Sequence, residues 1–292
     1  MQDAELRDLG RLPSHKLREA LESGDFERAL ALTEQLPKEY VLMHKGLRIV
    51  VEILLAYNEA VFRREQAKIT EEIQQAIRAR DAQRALELLD RKHRQHLQIH
   101  DAQLAFKATS YAWAYDQFGD QALEDCHRHV ASAHRAAFDQ WEALPKEEFA
   151  RITASLFALH SEGRVSVTED PEKFTFTLNA CGSGGVMLRK GLLDGPAPTY
   201  PRVMMAQAQT FGREAFSSYC SHCAVWNSIL PIEWYGHPHW VHSPPARNED
   251  PCVFHIYKDP RDIPAEYYRS VGKEKPADTP NPPPTNHTRR PA

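Results

Sequence analysis

Residues 17–32 come back, with substitutions, at residues 73–88: Leu21 falls on Ile77, Asp25 on Asp81, and Arg28-Ala29-Leu30 on Arg84-Ala85-Leu86. The likeness thins further on but continues through His44 and His100, Ala56 and Ala112, Tyr57 and Trp113, and Phe62 and Phe118. A duplicated block narrows the fold first, because each copy is one supersecondary unit whose apolar face has to be covered. Each copy reads as a short helix, a tight turn at Gly24-Asp25 or Arg80-Asp81, a second helix and a long third one. The long helices carry apolar residues at three- and four-residue steps, Leu47, Val51, Leu54 and Leu55 in one and Ile99, Ala102, Phe106, Ser110 and Trp113 in the other, the spacing of one helix face. Two such units are expected to pack as a pseudo-symmetric helical bundle over residues 1–144.

The paired His44 and His100 read as core polar groups bonded to a neighbouring helix, with a site-lining role as the alternative; no Glu-x-x-His accompanies either. The run Asp125-Cys126-His127-Arg128-His129, with His134, reads as a solvated polar helix in which Cys126 is a small filler. Leu144-Pro145-Lys146 marks a junction, since proline suits the first turn of a new helix. That helix, residues 147–160, places Phe149, Ile152, Leu156 and Leu159 on one side.

The second half, residues 145–272, has a different texture. Val165 to Thr168 and Lys173 to Leu178 alternate apolar with polar, and Glu169-Asp170-Pro171-Glu172 between them is a turn signal, so a β-hairpin is predicted. The second strand runs into Cys181-Gly182-Ser183-Gly184-Gly185. Glycines there free the backbone to converge on a ligand or an anion, which suits a nucleophilic thiolate or a metal ligand. Cys220 and Cys223 form a Cys-x-x-Cys pair at the start of an apparent helix. Two sulfurs at that spacing can grip one Zn²⁺, and a helix N-terminus favours the thiolate. A strand from Cys252 to Tyr257 places Cys252, Phe254 and Ile256 on the core face and His255 on the other. The candidate metal ligands are therefore Cys181, Cys220, Cys223 and Cys252, with His222 or water as an alternative fourth.

In Glu233-Trp234-Tyr235-Gly236-His237-Pro238-His239, the two histidines share a face if the segment is a strand. Glu233, His237 and His239 are the candidate catalytic proton carriers. Trp234, Tyr235 and Trp240 read as pocket wall or as core. From Lys273 the chain is rich in proline and charge, and residues 273–292 read as a disordered tail.

The segment 147–257, with its thiol-bearing helix start, two strands and an Asp250-x-Cys252-x-Phe254 ending, resembles the bacterial L-2-amino-thiazoline-4-carboxylate hydrolase-like proteins. More remotely, it resembles 4-vinyl-reductase-type ligand-binding domains. The resemblance implies zinc held by clustered cysteines, here Cys220, Cys223 and Cys252, beside a pocket for small hydrophobic or aromatic molecules. Cys181 and its glycines lie outside what the resemblance carries.

Composition bounds the rest. The 292 residues are 42% hydrophobic and 26% charged, with a formal net charge of −4, which is ordinary for a globular chain and lacks the basic balance of a nucleic-acid binder. No basic region followed by an apolar run opens the sequence, so a cytoplasmic protein is expected, whose five cysteines are thiols or ligands rather than disulfides. The expected fold class is α+β: a duplicated helical bundle followed by a mixed domain with a small antiparallel sheet. The expected function is a metal-dependent enzyme, with zinc preferred to iron, hydrolysing a C–N or related bond of a small molecule. Two alternatives stand beside it, a small-molecule sensor with structural zinc and a thiol enzyme using Cys181. Expected partners are a small-molecule substrate or ligand and, as an open alternative, a second copy, with no nucleic acid and no membrane.

Overall fold

A computed structural model describes residues 11–161 and 163–277. The fold is α+β, with a long helical N-terminal region and a small antiparallel sheet in the C-terminal part. The chain divides into two compact units, residues 1–98 and 99–292; the junction expected at Leu144 lies within the second. Residues 278–292, most of the expected tail, fall outside the described residues.

In the first unit, α1 (Pro13–Glu22) and α2 (Phe26–Thr33) form a helical hairpin, followed by the long α3 (Val41–Arg78); α4 (Ala82–Ala133) begins in that unit and continues as the first helix of the second. The repeat is visible in the turns. Gly24 (φ 75°) and its counterpart Arg80 (φ 59°) both take the left-handed conformation that ends a helix. Asp25 then caps α2 by accepting from the Arg28 N–H at 3.1 Å, and Asp81 caps α4 by accepting from the Arg84 N–H at 2.9 Å, satisfying a donor that the first turn leaves free. The small cores match as well: Ala20, Ala29 and Leu32, with Leu17 against them, correspond to Ala76, Ala85 and Leu88 with Ile73. The expected element boundaries need correction. The third helix of the first copy and the first helix of the second are one helix, α3, and the later helices of the second copy are merged in α4, interrupted only at Gly119 (φ 81°). Neither junction carries a proline that would break them.

The apolar faces read from periodicity also shift. Leu47 and Leu54 are about half exposed, as are Phe106 and Trp113. In the second unit α4 instead buries Ala108, Tyr111, Ala112 and Leu123 against Met187, Leu193, Val203 and Tyr219. Alanine at 108 and 112 lets the helix axis come close to its neighbours, which the bulky Phe106 and Trp113 would prevent. His44 is exposed, and His127, expected to be solvated, is fully buried with Nε2 2.9 Å from Ser221 Oγ.

The second unit continues with α5 (Arg135–Glu142) and α6 (Lys146–His160), and its four strands pair antiparallel in the order β1-β2-β6-β5. The strands are β1 (Val165–Glu169), β2 (Lys173–Leu178), β5 (Val241–Ser243) and β6 (Cys252–Tyr257). The predicted hairpin joins β1 to β2, its turn tied by Asp170 accepting from the Glu172 and Lys173 N–H groups, both at 2.8 Å. Phe174, Phe176 and Leu178 of β2 share the buried face with Cys252, Phe254 and Ile256 of β6, Phe176 opposite Phe254 and Leu178 opposite Cys252. Helix α6 covers that face with Phe149, Thr153 and Phe157 rather than with Leu156 and Leu159, which are exposed. Three- and four-residue steps along this face end at His160, so the packing of α6 also aims its last residue at the exit of β2.

Two further strands, β3 (Arg202–Val203) and β4 (Phe216–Ser217), pair with each other, and α7 (Gly184–Arg189) follows the glycine loop. From Ser221 the chain is helical to Tyr235, through α8 (Ser221–Ala224), a π-turn segment (Val225–Ile229) and α9 (Leu230–Tyr235), stopped by Gly236 at φ 84°; the short α10 (Ala265–Arg269) follows β6. Among the described residues no helix is long and apolar enough to cross a membrane.

Candidate active site

The exit of β2 is a forced bend. Ala180 sits at φ 67°, a conformation that a residue with a Cβ rarely adopts, and the next residue is Cys181. Gly182 then lies so close to the end of α6 that a Cβ there would sit 1.5 Å from the His160 carbonyl oxygen. Gly184 is equally confined, since its Cβ would fall 2.2 Å from Cys220 Sγ. The glycines are thus required by close approach, and the approach brings Cys181 to His160 and Cys220 to the loop.

Cys181 Sγ lies 3.7 Å from His160 Nε2 and 3.3 Å from Ser183 Oγ, and Ser183 Oγ is 2.9 Å from the same nitrogen. Behind His160, its Nδ1 is 2.8 Å from His100 Nε2, and His100 Nδ1 is 3.1 Å from Asp101 Oδ1. One proton arrangement satisfies the whole row. His100 donates from Nδ1 to the Asp101 carboxylate, and His160 donates from Nδ1 to His100 Nε2. His160 Nε2 then faces Cys181 as base or acid, the orientation given to a catalytic imidazole by a partner on its far nitrogen.

Cys181, Ser183, Gly184 and Gly185 form one wall of a cavity of about 130 Å³, which Cys220, Cys223, Cys252, His222 and His242 also line. That is close to the ~150 Å³ of a cavity known to take up benzene, so the enclosed part accommodates a small group. Arg202, Arg213 and Arg247 stand at its edge. Arg202 is paired with Asp194 and Arg247 with Asp250, whereas Arg213 donates to the Pro245 carbonyl and makes no ion pair among the described residues.

The thiols differ electrostatically. Cys181 is held well below the ordinary thiol range, first by a hydrogen bond from the Cys252 thiol, against the opposing effect of burial, and then by His160 and Ser183. Cys252 is pushed well up, because it is the donor to Cys181 and is buried. Burial pushes Cys220 up to about 12 and Cys223 well up. Cys223 Sγ lies 3.5 Å from His222 Nε2, whose other nitrogen is bonded to the Tyr219 carbonyl. Lys107 sits over the rings of Trp226, Tyr219 and Tyr111 at 4.4, 5.3 and 5.7 Å. Burial lowers its pKa, and the nearby sulfurs of Cys223, Cys181 and Cys220 work the other way.

His242 is buried, stacked on Phe254 at 4.1 Å, and neither ring nitrogen has a partner among the described residues. Burial lowers its pKa to about 3, so it stays neutral and presents one donor and one acceptor. His242→Phe keeps the stack and removes both unpaired groups. It is expected to raise unfolding stability by about 1 kcal/mol in urea titration, the opposite sign to loss of a structural histidine.

The four cysteines predicted as metal ligands are therefore gathered at one cavity. They are not arranged as a ligand group: among the described residues no set of three or more His, Cys, Asp or Glu side chains is placed to hold a metal ion. The predicted catalytic trio lies elsewhere. Glu233 is bound to Arg128 at 2.8 Å and to Lys273 at 2.7 Å. His237 and His239 follow the helix in a turn, not a strand, and both meet Glu142, His237 Nε2 in a 3.1 Å hydrogen bond and His239 Nε2 in a less well aligned 3.0 Å contact. Pro238 between them and Gly236 before them disfavour the pleat that the strand reading needed.

That cluster is a buried carboxylate–imidazole network within the fold. Burial works to raise Glu142, but His237, His239 and Lys146 outweigh it and hold the carboxyl well below its usual range. Glu142→Ala leaves two buried imidazoles without a carboxylate, and unfolding stability is expected to fall by about 3 kcal/mol. The depressed pKa makes the contribution complete above the ordinary carboxylate value of about 4.3 and lost as pH falls through the folded value. The variant's stability is accordingly expected to be flatter than wild type below that pH.

His160, Ser183, His242 and the His100–Asp101 support were missed by sequence reasoning. Only Ser183, inside the glycine loop, and His100, as one of the duplicated pair, carried a signal there. The chain matches no known family model, and neither a curated protein nor a solved structure is significantly similar to it.

Proposed function

We propose that the chain is a thiol hydrolase cleaving a C–N bond of a small organic molecule, with Cys181 as nucleophile. The observation that carries this reading is the contact of Cys181 Sγ with His160 Nε2 at 3.7 Å on the cavity wall, with His100 and Asp101 behind the imidazole. The resemblance of residues 147–257 to aminothiazoline-carboxylate hydrolase-like proteins supports the choice of bond.

In the first step the Cys181 proton passes to His160 Nε2, leaving thiolate and imidazolium. The thiolate attacks the electrophilic carbon, and the departing nitrogen takes the proton from His160 Nε2 as the C–N bond breaks. A water then loses a proton to His160 Nε2 while its oxygen bonds to the carbon of the thioester. The C–S bond breaks and the thiolate returns. Ser183 Oγ, within reach of both Cys181 and His160, holds them in register. The backbone N–H groups of Ser183, Gly184 and Gly185 make no hydrogen bond to a described acceptor and are available to the developing oxyanion. His242 supplies one donor and one acceptor to the substrate.

The test is a panel of small amides, ureas and amidines, scored by amine release and by an acyl adduct on Cys181 after acid quench. Cys181→Ala is expected to lose roughly 10⁴-fold in turnover with its fold intact. Amine release unchanged in that variant would remove the reading. Zinc held by Cys181, Cys220, Cys223 and Cys252 is the second reading, favoured by their shared cavity, though their arrangement does not fit a ligand set and no step is drawn through it. Elemental analysis of protein purified without added metal, repeated on Cys220→Ser/Cys223→Ser, separates the two.

A further inference from the structure

Cys252 has a part that the hydrolytic chemistry does not require. It lies on β6 opposite Leu178, three residues before Cys181, is 6% exposed, belongs to the apolar cluster that Cys181 packs against, and lines the same cavity. A serine at that place could donate to a neighbouring thiolate equally well. A thiol adds only what sulfur can do, which is to exchange with a neighbouring oxidised sulfur.

We propose that Cys181 and Cys252 are a hydroperoxide-reducing pair, in which Cys181 reacts with a small hydroperoxide admitted to the cavity and Cys252 resolves it as a disulfide. The inference uses the same sulfur as the proposed hydrolase and is independent of its acyl chemistry. The Cys181 thiolate attacks the terminal oxygen of ROOH, so that an S–O bond forms and the O–O bond breaks. Sulfur loses two electrons, and the leaving RO⁻ takes the proton from His160 Nε2 and departs as ROH. Cys252 then attacks Cys181–SOH. The S–S bond forms, the S–O bond breaks, and the hydroxide leaves with the Cys252 proton as water. A small dithiol restores both thiols, taking up the two oxidising equivalents.

Two other thiols share the cavity and could compete. Cys220 Sγ is seated against Gly184, and Cys223 is engaged by His222. Cys181 packs against the apolar cluster that contains Cys252, whereas Cys220 and Cys223 pack against others, so Cys252 is the thiol positioned to reach the sulfenic acid first.

The experiment treats reduced, desalted full-length protein with a small excess of hydrogen peroxide or tert-butyl hydroperoxide, blocks remaining thiols and maps peptides. A 181–252 disulfide, fully reversed by dithiothreitol, is expected as the main product. Cys252→Ser or Cys252→Ala is expected to accumulate a dimedone-reactive sulfenic acid at Cys181. The proposal is overturned if wild-type Cys181 passes to the sulfinic acid while Cys252 stays alkylatable. It is equally overturned if a 220–223 disulfide forms with Cys181 free. Failure here with Cys181 still alkylated as a thiolate below neutral pH removes this inference alone; loss of that alkylation removes the nucleophile as well.

Discussion

At pH 6.5, iodoacetamide is expected to modify Cys181 and leave Cys126, Cys220, Cys223 and Cys252 as thiols. The reagent takes thiolates, and an ordinary thiol loses roughly tenfold in thiolate for each pH unit below its pKa of about 8.5. Burial pushes Cys126, Cys220 and Cys223 the wrong way, and Cys252 is spent as a donor. Cys181 moves in the opposite direction because Cys252, His160 and Ser183 all donate to its anion. The lower nucleophilicity of a low-pKa thiolate offsets part of the advantage, so selectivity on the order of 10- to 100-fold is expected at that pH. His160→Ala should cut the rate at pH 6.5 by roughly tenfold and have a smaller effect at pH 9.5, where hydroxide does the deprotonation. Peptide mapping with time reads both. Equal rates at all five cysteines would remove the electrostatic account.

The second large effect belongs to a residue without a side chain. Gly182→Ala places a methyl 1.5 Å from a backbone oxygen at the end of α6. Neither the carbonyl nor the loop has a flexible end that can give way, so one of them must move. The expected result is a loss of about 3 kcal/mol in unfolding stability, at the upper end of the overpacking range. In whatever remains folded, Cys181 is expected to lose its low-pH alkylation, because the loop and His160 are displaced from each other. Gly46→Ala is the control with the opposite sign. Gly46 lies inside α3 with nothing within 4 Å of its would-be Cβ, and alanine there is expected to add up to about 1 kcal/mol. Urea titration of both variants separates close approach from a general dislike of substitution at glycine.

Where the sequence could be read and where it failed follows from the range of the forces concerned. The turns of the repeat were legible because a Gly or Arg in the left-handed conformation followed by an Asp cap is decided within four residues. The β1–β2 hairpin and the inward face of β6 were legible for the same reason, period-two alternation with a local turn. The burial of α4 was not. Its apolar residues lie on more than one side, and which side is covered depends on where α7 and Tyr219 arrive. Cys181, Cys220, Cys223 and Cys252 line one cavity, without forming a metal-ligand group among the described residues. His160 was hidden because nothing within a helix turn of it hints at a thiol; it meets Cys181 only because α6 lies across β2 and Gly182 allows the approach. The strand reading of His237 and His239 failed for a local reason, since the helix ends at Gly236 and Pro238 holds the next residues in a turn around Glu142.

The central claim is that one thiolate, at Cys181, persists well below the pH at which thiols ordinarily ionise. The direct measurement is a titration of far-ultraviolet thiolate absorbance in wild-type protein and in Cys181→Ser, taken as a difference. The account predicts a difference of one thiolate that is already present at pH 7 and disappears only on further acidification. A difference that is absent at pH 7 and emerges only above pH 8 would contradict it.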